Sequence, residues 1–234
     1  MKKTVCIFVF GIHVLLLSAQ NDPGTNMYNA GKTNYTNSGE TIYSQKFGKE
    51  SEGSPFFINN WLKADFLLKG GKISRENAVK LDLLNFAIFY QDEQGNELAC
   101  ISKLDGINLY DTINNKNYYF IHASAMPDYP RGTLEGYYLR MRQGEVSLFK
   151  KIIKHLTDPG TQRSTLSELS VSTSAEYYVS INNTLFNITK IKEFPDVLPK
   201  NKELVTQYIK DHKLKGKREE DFTELVDYYN QLGN

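Results

Sequence analysis

The sequence predicts an α+β fold: a predominantly antiparallel β-sheet domain with a C-terminal helical hairpin packed on it. Three observations predict it. Apolar residues alternate with period two in successive short segments from Leu62 to Ile191. Gly- and Asn-containing breaks separate those segments at hairpin spacing. From Leu204 onward the apolar residues take helical spacing instead, in two stripes on either side of Gly216.

Two segments without this pattern come first. Residues 1–20 read as a secretory signal peptide. Lys2 and Lys3 supply the charge, Val5–Leu17 the apolar run and Ser18-Ala19-Gln20 the small-residue cleavage site. The run is shorter than the roughly 20 apolar residues that span a bilayer. An exported protein is therefore expected, in the periplasm or on the outer cell surface. Residues 21–54 are rich in Asn, Thr, Gly, Ser and Tyr and poor in aliphatics, a composition that predicts a disordered arm.

The folded part is expected from Pro55. Leu62, Ala64, Phe66 and Leu68 alternate with Lys63, Asp65, Leu67 and Lys69, as in a half-buried strand. Gly70-Gly71 ends it with a turn, because glycine takes positive φ without steric cost. Lys80–Gln91 is apolar on both faces and predicts one central strand. Asp92–Asn96 is a turn into a strand at Glu97–Lys103, and short strands follow at Ile107–Tyr110 and Asn117–His122. Pro127, Pro130 and Gly132 predict a loop over Ala123–Gly132. Tyr137, Leu139 and Met141 make the next strand, up to Gln143-Gly144.

Val146–Ile153 fits either a helix or a returning strand. The strand is favoured, because a strand and a turn precede it. Ser and Thr predict a loop over Asp158–Ser174. Tyr177, Val179 and Ile181 then lead through Asn182-Asn183 to Leu185–Ile191 in a last hairpin. Leu204, Val205, Tyr208 and Ile209 stripe one helix. Phe222, Leu225, Val226, Tyr229 and Leu232 stripe another, with Glu219, Glu220 and Asp221 at its start, where the helix dipole favours acids. The stripes need a cover, and a sheet face is the simplest one. Residues 55–191 and 192–234 are read as one globular unit.

Charge and motifs narrow the chemistry. Cleavage after Gln20 removes two lysines and no acid, so 28 basic against 27 acidic residues becomes 26 against 27. A near-neutral chain offers no global argument for nucleic acid or an anionic membrane as partner. Cys6 leaves with the signal, so Cys100 has no intrachain disulfide partner. It reads as a small buried hydrophobe. Nucleophile-elbow, Walker, dinucleotide and zinc-protease motifs do not occur. His122, His155 and His212 lie in different elements without ligand spacing, so no metal and no cofactor is expected. Asp92–Glu97 reads as a hairpin turn rather than a calcium loop. The cluster singled out for binding is the Pro-bounded loop with Asp128, Tyr129 and Arg131, beside Arg140 and Arg142. Two residues apart on one strand, those arginines are expected on one face. Arginine suits carboxylate, phosphate or glycan contact.

Several runs carry a resemblance. They are Leu17-Ser18-Ala19-Gln20; Gly53-Ser54-Pro55-Phe56-Phe57 with Trp61; Leu81-Asp82-Leu83-Leu84-Asn85-Phe86; and Tyr208-Ile209-Lys210 with Asp227-Tyr228-Tyr229-Asn230. In these the chain resembles an uncharacterised family of secreted and periplasmic proteins of the Bacteroidota. The resemblance implies a Gram-negative cell envelope and brings no known activity. Asp111-Thr112-Ile113 is similar to the short O-glycosylation signal of that phylum.

These readings point to an exported, non-catalytic binding or interaction module, with another envelope protein or a glycan as partner. An enzyme of unrecognised type acting on envelope polymers and a structural accessory of an envelope complex are the alternatives.

Overall fold

The computed structural model describes residues 27–29, 53–157 and 170–233. The expected signal peptide, nearly all of the expected arm and residues 158–169 of the expected Ser/Thr loop lie outside the described residues. Among the described residues eleven strands form one sheet. They are β1 (Met27–Asn29), β2 (Leu62–Leu68), β3 (Ile73–Asp82), β4 (Ala87–Gln91), β5 (Glu97–Cys100), β6 (Leu104–Asp111), β7 (Lys116–His122), β8 (Tyr137–Arg142), β9 (Val146–Thr157), β10 (Ser170–Ile181) and β11 (Thr184–Asn187). The helices are α1 (Phe194–Val197), α2 (Lys202–Asp211) and α3 (Glu219–Leu232). The sheet dominates and every named strand pair is antiparallel, as the α+β reading requires. The order is β1-β5-β4-β3-β2-β6-β7-β8-β9-β10-β11. Apart from β1–β5 and β2–β6, neighbours in space are neighbours in the chain.

The hairpin turns follow from side chains as well as glycines. Asp82 Oδ1 accepts the N–H groups of Leu84 at 2.8 Å and Asn85 at 3.0 Å, and its Oδ2 accepts from the Asn85 amide at 2.9 Å. Asp111 repeats the device with Ile113 and Asn114 at 3.2, 3.1 and 2.7 Å. In both loops the residue after the asparagine is left-handed: Phe86 at φ 57° and Asn115 at φ 50°. Asparagine tolerates that region and phenylalanine does not.

The sheet coils. A Cβ on Gly136, just before β8, would collide with the Phe86 ring at the β3–β4 turn. In strand order β4 and β8 stand five steps apart, about 24 Å on a flat sheet. Twist accumulated over those strands brings them together. Inside the coil one cluster joins Leu62 and Phe66 of β2, Val79 and Leu81 of β3, Ile107 of β6, Phe120 of β7 and Tyr137 of β8. Residues 53–57 lie across the seam. Phe57 N–H donates to Leu81 O at 2.8 Å and Leu83 N–H donates to Pro55 O at 3.0 Å. Gly53, at φ 88°, is pressed so close to the Val171 carbonyl of β10 that a Cβ there would clash.

A second cluster starts at the other end of β9. Val146 and Leu148, with Val179 and Ile181 of β10, meet Phe194, Val205, Phe222, Leu225 and Tyr229. Asn230 of α3 accepts the Val146 N–H at 2.9 Å and donates to the Val146 carbonyl at 2.9 Å. Lys150 of β9 pairs with Glu219. Helix α3 contacts β8 and β9, whereas α2 contacts α1 and α3. On the opposite sheet face Tyr138, Phe149, Tyr178 and Leu185 lie beneath Ala123, Met126, Tyr129 and Leu134.

Two expectations need correction. Lys80–Gln91 is not one strand: the Asp82 cap folds it into β3 and β4, and Leu83-Leu84 hid the turn by continuing the apolar pattern. The first part of β3, Ile73–Val79, for which the sequence predicts no element, is polar and is built by pairing with β2. Ser170–Ser174, expected as loop, is strand paired with Thr157 through Ile153. The strand favoured for Val146–Ile153 is found, as part of the 12-residue strand Val146–Thr157.

Candidate functional site

The loop between β7 and β8 is held on both sides. Ala123 N–H donates to Gly136 O at 2.8 Å. Asp128 makes a short parallel bridge to the β11 edge: its N–H donates to Asn183 O at 3.1 Å and its carbonyl accepts Leu185 N–H at 2.7 Å. Tyr129 sets its ring edge-on to Tyr178 at 5.8 Å. A loop rich in Pro and Gly is thus fixed by backbone bonds and aromatic packing.

Between this loop and the β3–β4 turn opens a cleft of about 770 Å³. Its wall includes Phe86, His122, Ser124, Asp128, Tyr129 and Glu135. Phe86 is 41% exposed, an unusual position for a phenylalanine that also bears left-handed backbone strain. Only a residue without Cβ fits beneath it, and Gly136, itself at φ 72°, supplies that.

His122 ends β7 with its ring edge against Tyr137 at 5.1 Å. Its Nδ1 lies 2.8 Å from Ser124 Oγ and accepts the Ser124 N–H at 3.2 Å. A nitrogen that accepts carries no proton, so the neutral ring holds its hydrogen on Nε2. Burial lowers the His122 pKa, against a smaller opposing pull from the Asp105 carboxylate, and favours that neutral form. The pairing with Ser124 is an N-cap of the 3-10 turn Ala123–Ala125. It orders the loop, and the serine stays a hydroxyl presented to the cleft.

Of the residues singled out from the sequence, Asp128 lines the cleft and Arg131 lies exposed on the same loop. The two strand arginines part company. A register shift between Arg140 and Arg142 puts Arg140 opposite Phe149 and Arg142 opposite Leu148, hence on opposite faces. Arg140 stacks its guanidinium 4.1 Å from the Tyr119 ring centroid. Arg142 Nε bonds both carboxylate oxygens of Asp227 on α3, at 2.7 and 2.9 Å. The bulge, invisible in the sequence, undoes their expected shared face. Sequence reasoning missed Phe86, His122, Ser124 and Glu135 as parts of the site. The repeated Asp-x-x-Asn of residues 82–85 and 111–114 was the available signal, since it places Phe86 where the matching loop has asparagine.

Elsewhere, Tyr208 of α2 is sandwiched between His212 and Tyr228, with ring centroids 3.8 Å away on each side. Glu224 Oε1 accepts the Tyr208 hydroxyl at 3.0 Å and faces His212 Nδ1 at 3.0 Å. Cys100 is half-buried, and burial raises its thiol pKa, the opposite of an activated nucleophile. Among the described residues no group of three or more His, Cys, Asp or Glu is placed to hold a metal ion, and no helix is long and apolar enough to cross a membrane. No family model matches the chain, and neither a curated protein nor a solved structure matches it.

Proposed function

We propose that this protein is an exported, non-catalytic binding module of the bacterial cell envelope, with the cleft between the β7–β8 loop and the β3–β4 turn as its ligand site. Export rests on the signal-like first 20 residues, and the Bacteroidota resemblance supports an envelope setting. The helical hairpin belongs to the same proposal as a cap on the inner sheet face, supported by the Asn230–Val146 bonds. The observation that carries the binding reading is Phe86. A strained, part-exposed aromatic over a glycine persists at a cost of order 1–3 kcal/mol only where the surroundings impose it, and such residues gather at ligand sites. Fold alone does not fix function, so the weight rests on this cleft.

The test is a fragment screen against the isotope-labelled mature protein, read by amide shifts. Hits that move Phe86, Ser124, Asp128 and Gly136 together support the reading. Hits that gather elsewhere, or a screen without hits, overturn it. Export is checked by the N-terminal sequence of protein recovered from the periplasmic fraction; a retained Met1 refutes it. A second reading, an accessory of an envelope complex, draws on the stacked Tyr208, Tyr228 and His212 rings beside Glu224 on the helices.

A further inference from the structure

The geometry points to an uncharged oligosaccharide as the ligand of the cleft. This rests on the proposal that the cleft is the binding site, and it names the ligand's chemistry.

The wall presents two carboxylates, Asp128 and Glu135, and no lysine or arginine among its described residues. A phosphate or carboxylate ligand would meet like charge there and lack the Arg or Lys contacts that anions require. The wall also presents donors. The neutral His122 offers Nε2–H, since Nδ1 is committed to Ser124; the Ser124 hydroxyl, whose proton goes to Nδ1, is left to accept, and the Thr133 hydroxyl on the same wall both gives and takes.

An ammonium ligand, being only a donor, would use the carboxylates and leave the histidine donor unanswered. A polyol uses both sets, because each hydroxyl donates and accepts. The Phe86 ring, seated against Gly136 and part-exposed, gives an apolar surface on which the C–H face of a sugar ring can pack. A volume of about 770 Å³ suits a ligand larger than one sugar ring, and falls within the roughly 300–1,000 Å³ of small-molecule sites.

The experiment is calorimetry and amide-shift mapping of the mature protein. The probes are neutral oligosaccharides (β-glucan, α-glucan, mannan and N-acetylglucosamine oligomers), a polygalacturonate fragment as polyanion, and choline as cation. The expected result is saturable binding of a neutral oligosaccharide that shifts Ser124, Asp128 and Gly136. It weakens about tenfold in Phe86→Ala and in Asp128→Asn. It is kept in Arg131→Ala, a residue that is not on the cleft wall. The circular dichroism of each variant controls for folding.

Binding only of choline or polygalacturonate with the same shifted residues leaves the cleft as the site and overturns the saccharide. A neutral sugar whose binding ignores both Phe86→Ala and Asp128→Asn overturns it too. Shifts confined to residues outside the cleft overturn both this inference and the choice of site.

Discussion

The two Asp-capped hairpins allow the strain at Phe86 to be measured by exchange of residues. Asn115 occupies in the β6–β7 loop the left-handed position that Phe86 occupies in the β3–β4 loop, at φ 50° against 57°, and it is exposed. Asn115→Phe therefore adds the backbone penalty with no compensating burial. The left-handed region costs an ordinary L-residue about 1–2 kcal/mol. For a domain of this size each kcal/mol moves Tm by about 2–4 °C, so a fall of about 2–8 °C is expected. Phe86→Asn relieves the same penalty but gives up the ring of a residue that is 41% exposed. Burying rather more than half of a phenylalanine is worth about 1–2 kcal/mol, so the two effects nearly cancel and Tm stays within about 3 °C. Urea and thermal unfolding of both variants, with the double exchange, read these numbers. An Asn115→Phe protein as stable as its parent would show that the position tolerates an aromatic freely, and the case for Phe86 as a held ligand contact would fall. A Phe86→Asn protein destabilised by more than about 3 kcal/mol would make the ring a core staple instead.

The other expectations are shorter. Asn230→Ala leaves both polar groups of the Val146 backbone unanswered and should lower stability by about 2 kcal/mol, measured by urea unfolding; a loss under half that size would mean the helix does not depend on this bracket. Arg142→Ala breaks a half-exposed ion pair and should cost less than about 1 kcal/mol, with the loss shrinking in salt; a larger loss that ignores salt would refute the surface-pair description. The twin aspartate caps should respond to pH in opposite senses. Burial raises the Asp82 pKa, so its contribution is greatest below the ordinary carboxylate value and is lost as pH rises through its raised folded value. Hydrogen bonds from Asn114 and Ile113 lower that of Asp111, so its contribution is present above the ordinary value and is lost as pH falls through the lowered one. Stability-versus-pH curves of Asp82→Asn and Asp111→Asn should differ from the parent with opposite slopes across the acid range; parallel changes would contradict the assignment.

Local chemistry made much of the sheet legible. Period-two alternation located β2 and β8, and Gly70-Gly71 and Asn182-Asn183 marked turns that take positive φ in the structure. What failed did so where distant pairing overrode local pattern. Leu83-Leu84 kept the apolar rhythm through a turn that only the Asp82 side chain reveals. Ser170–Ser174 became strand because β9 lies beside it. The site was half legible: Pro127, Pro130 and Gly132 drew attention to the right loop and to Asp128. Its opposite wall comes from Phe86, fifty positions upstream of Gly136, and only the coiling of the sheet joins them. The bulge beside Met141 separated Arg140 from Arg142 for a similar reason, since strand register is set by the partner strand as well as by the chain itself.

The strap at residues 53–57 has a kinetic meaning. Most strand pairs here join chain neighbours and form by short-loop closure, whereas the contact of Gly53 with Val171 closes a loop of more than a hundred residues. Loop-closure entropy places such contacts late in folding. The meander assembles first, and the strap then latches the coil shut. Because Phe86 and Gly136 touch only when the coil is closed, the cleft is among the last parts of the molecule to exist. Cutting the chain at residues 53–57 should therefore reach the Phe86–Gly136 contact before it reaches the hairpins, which close over short loops.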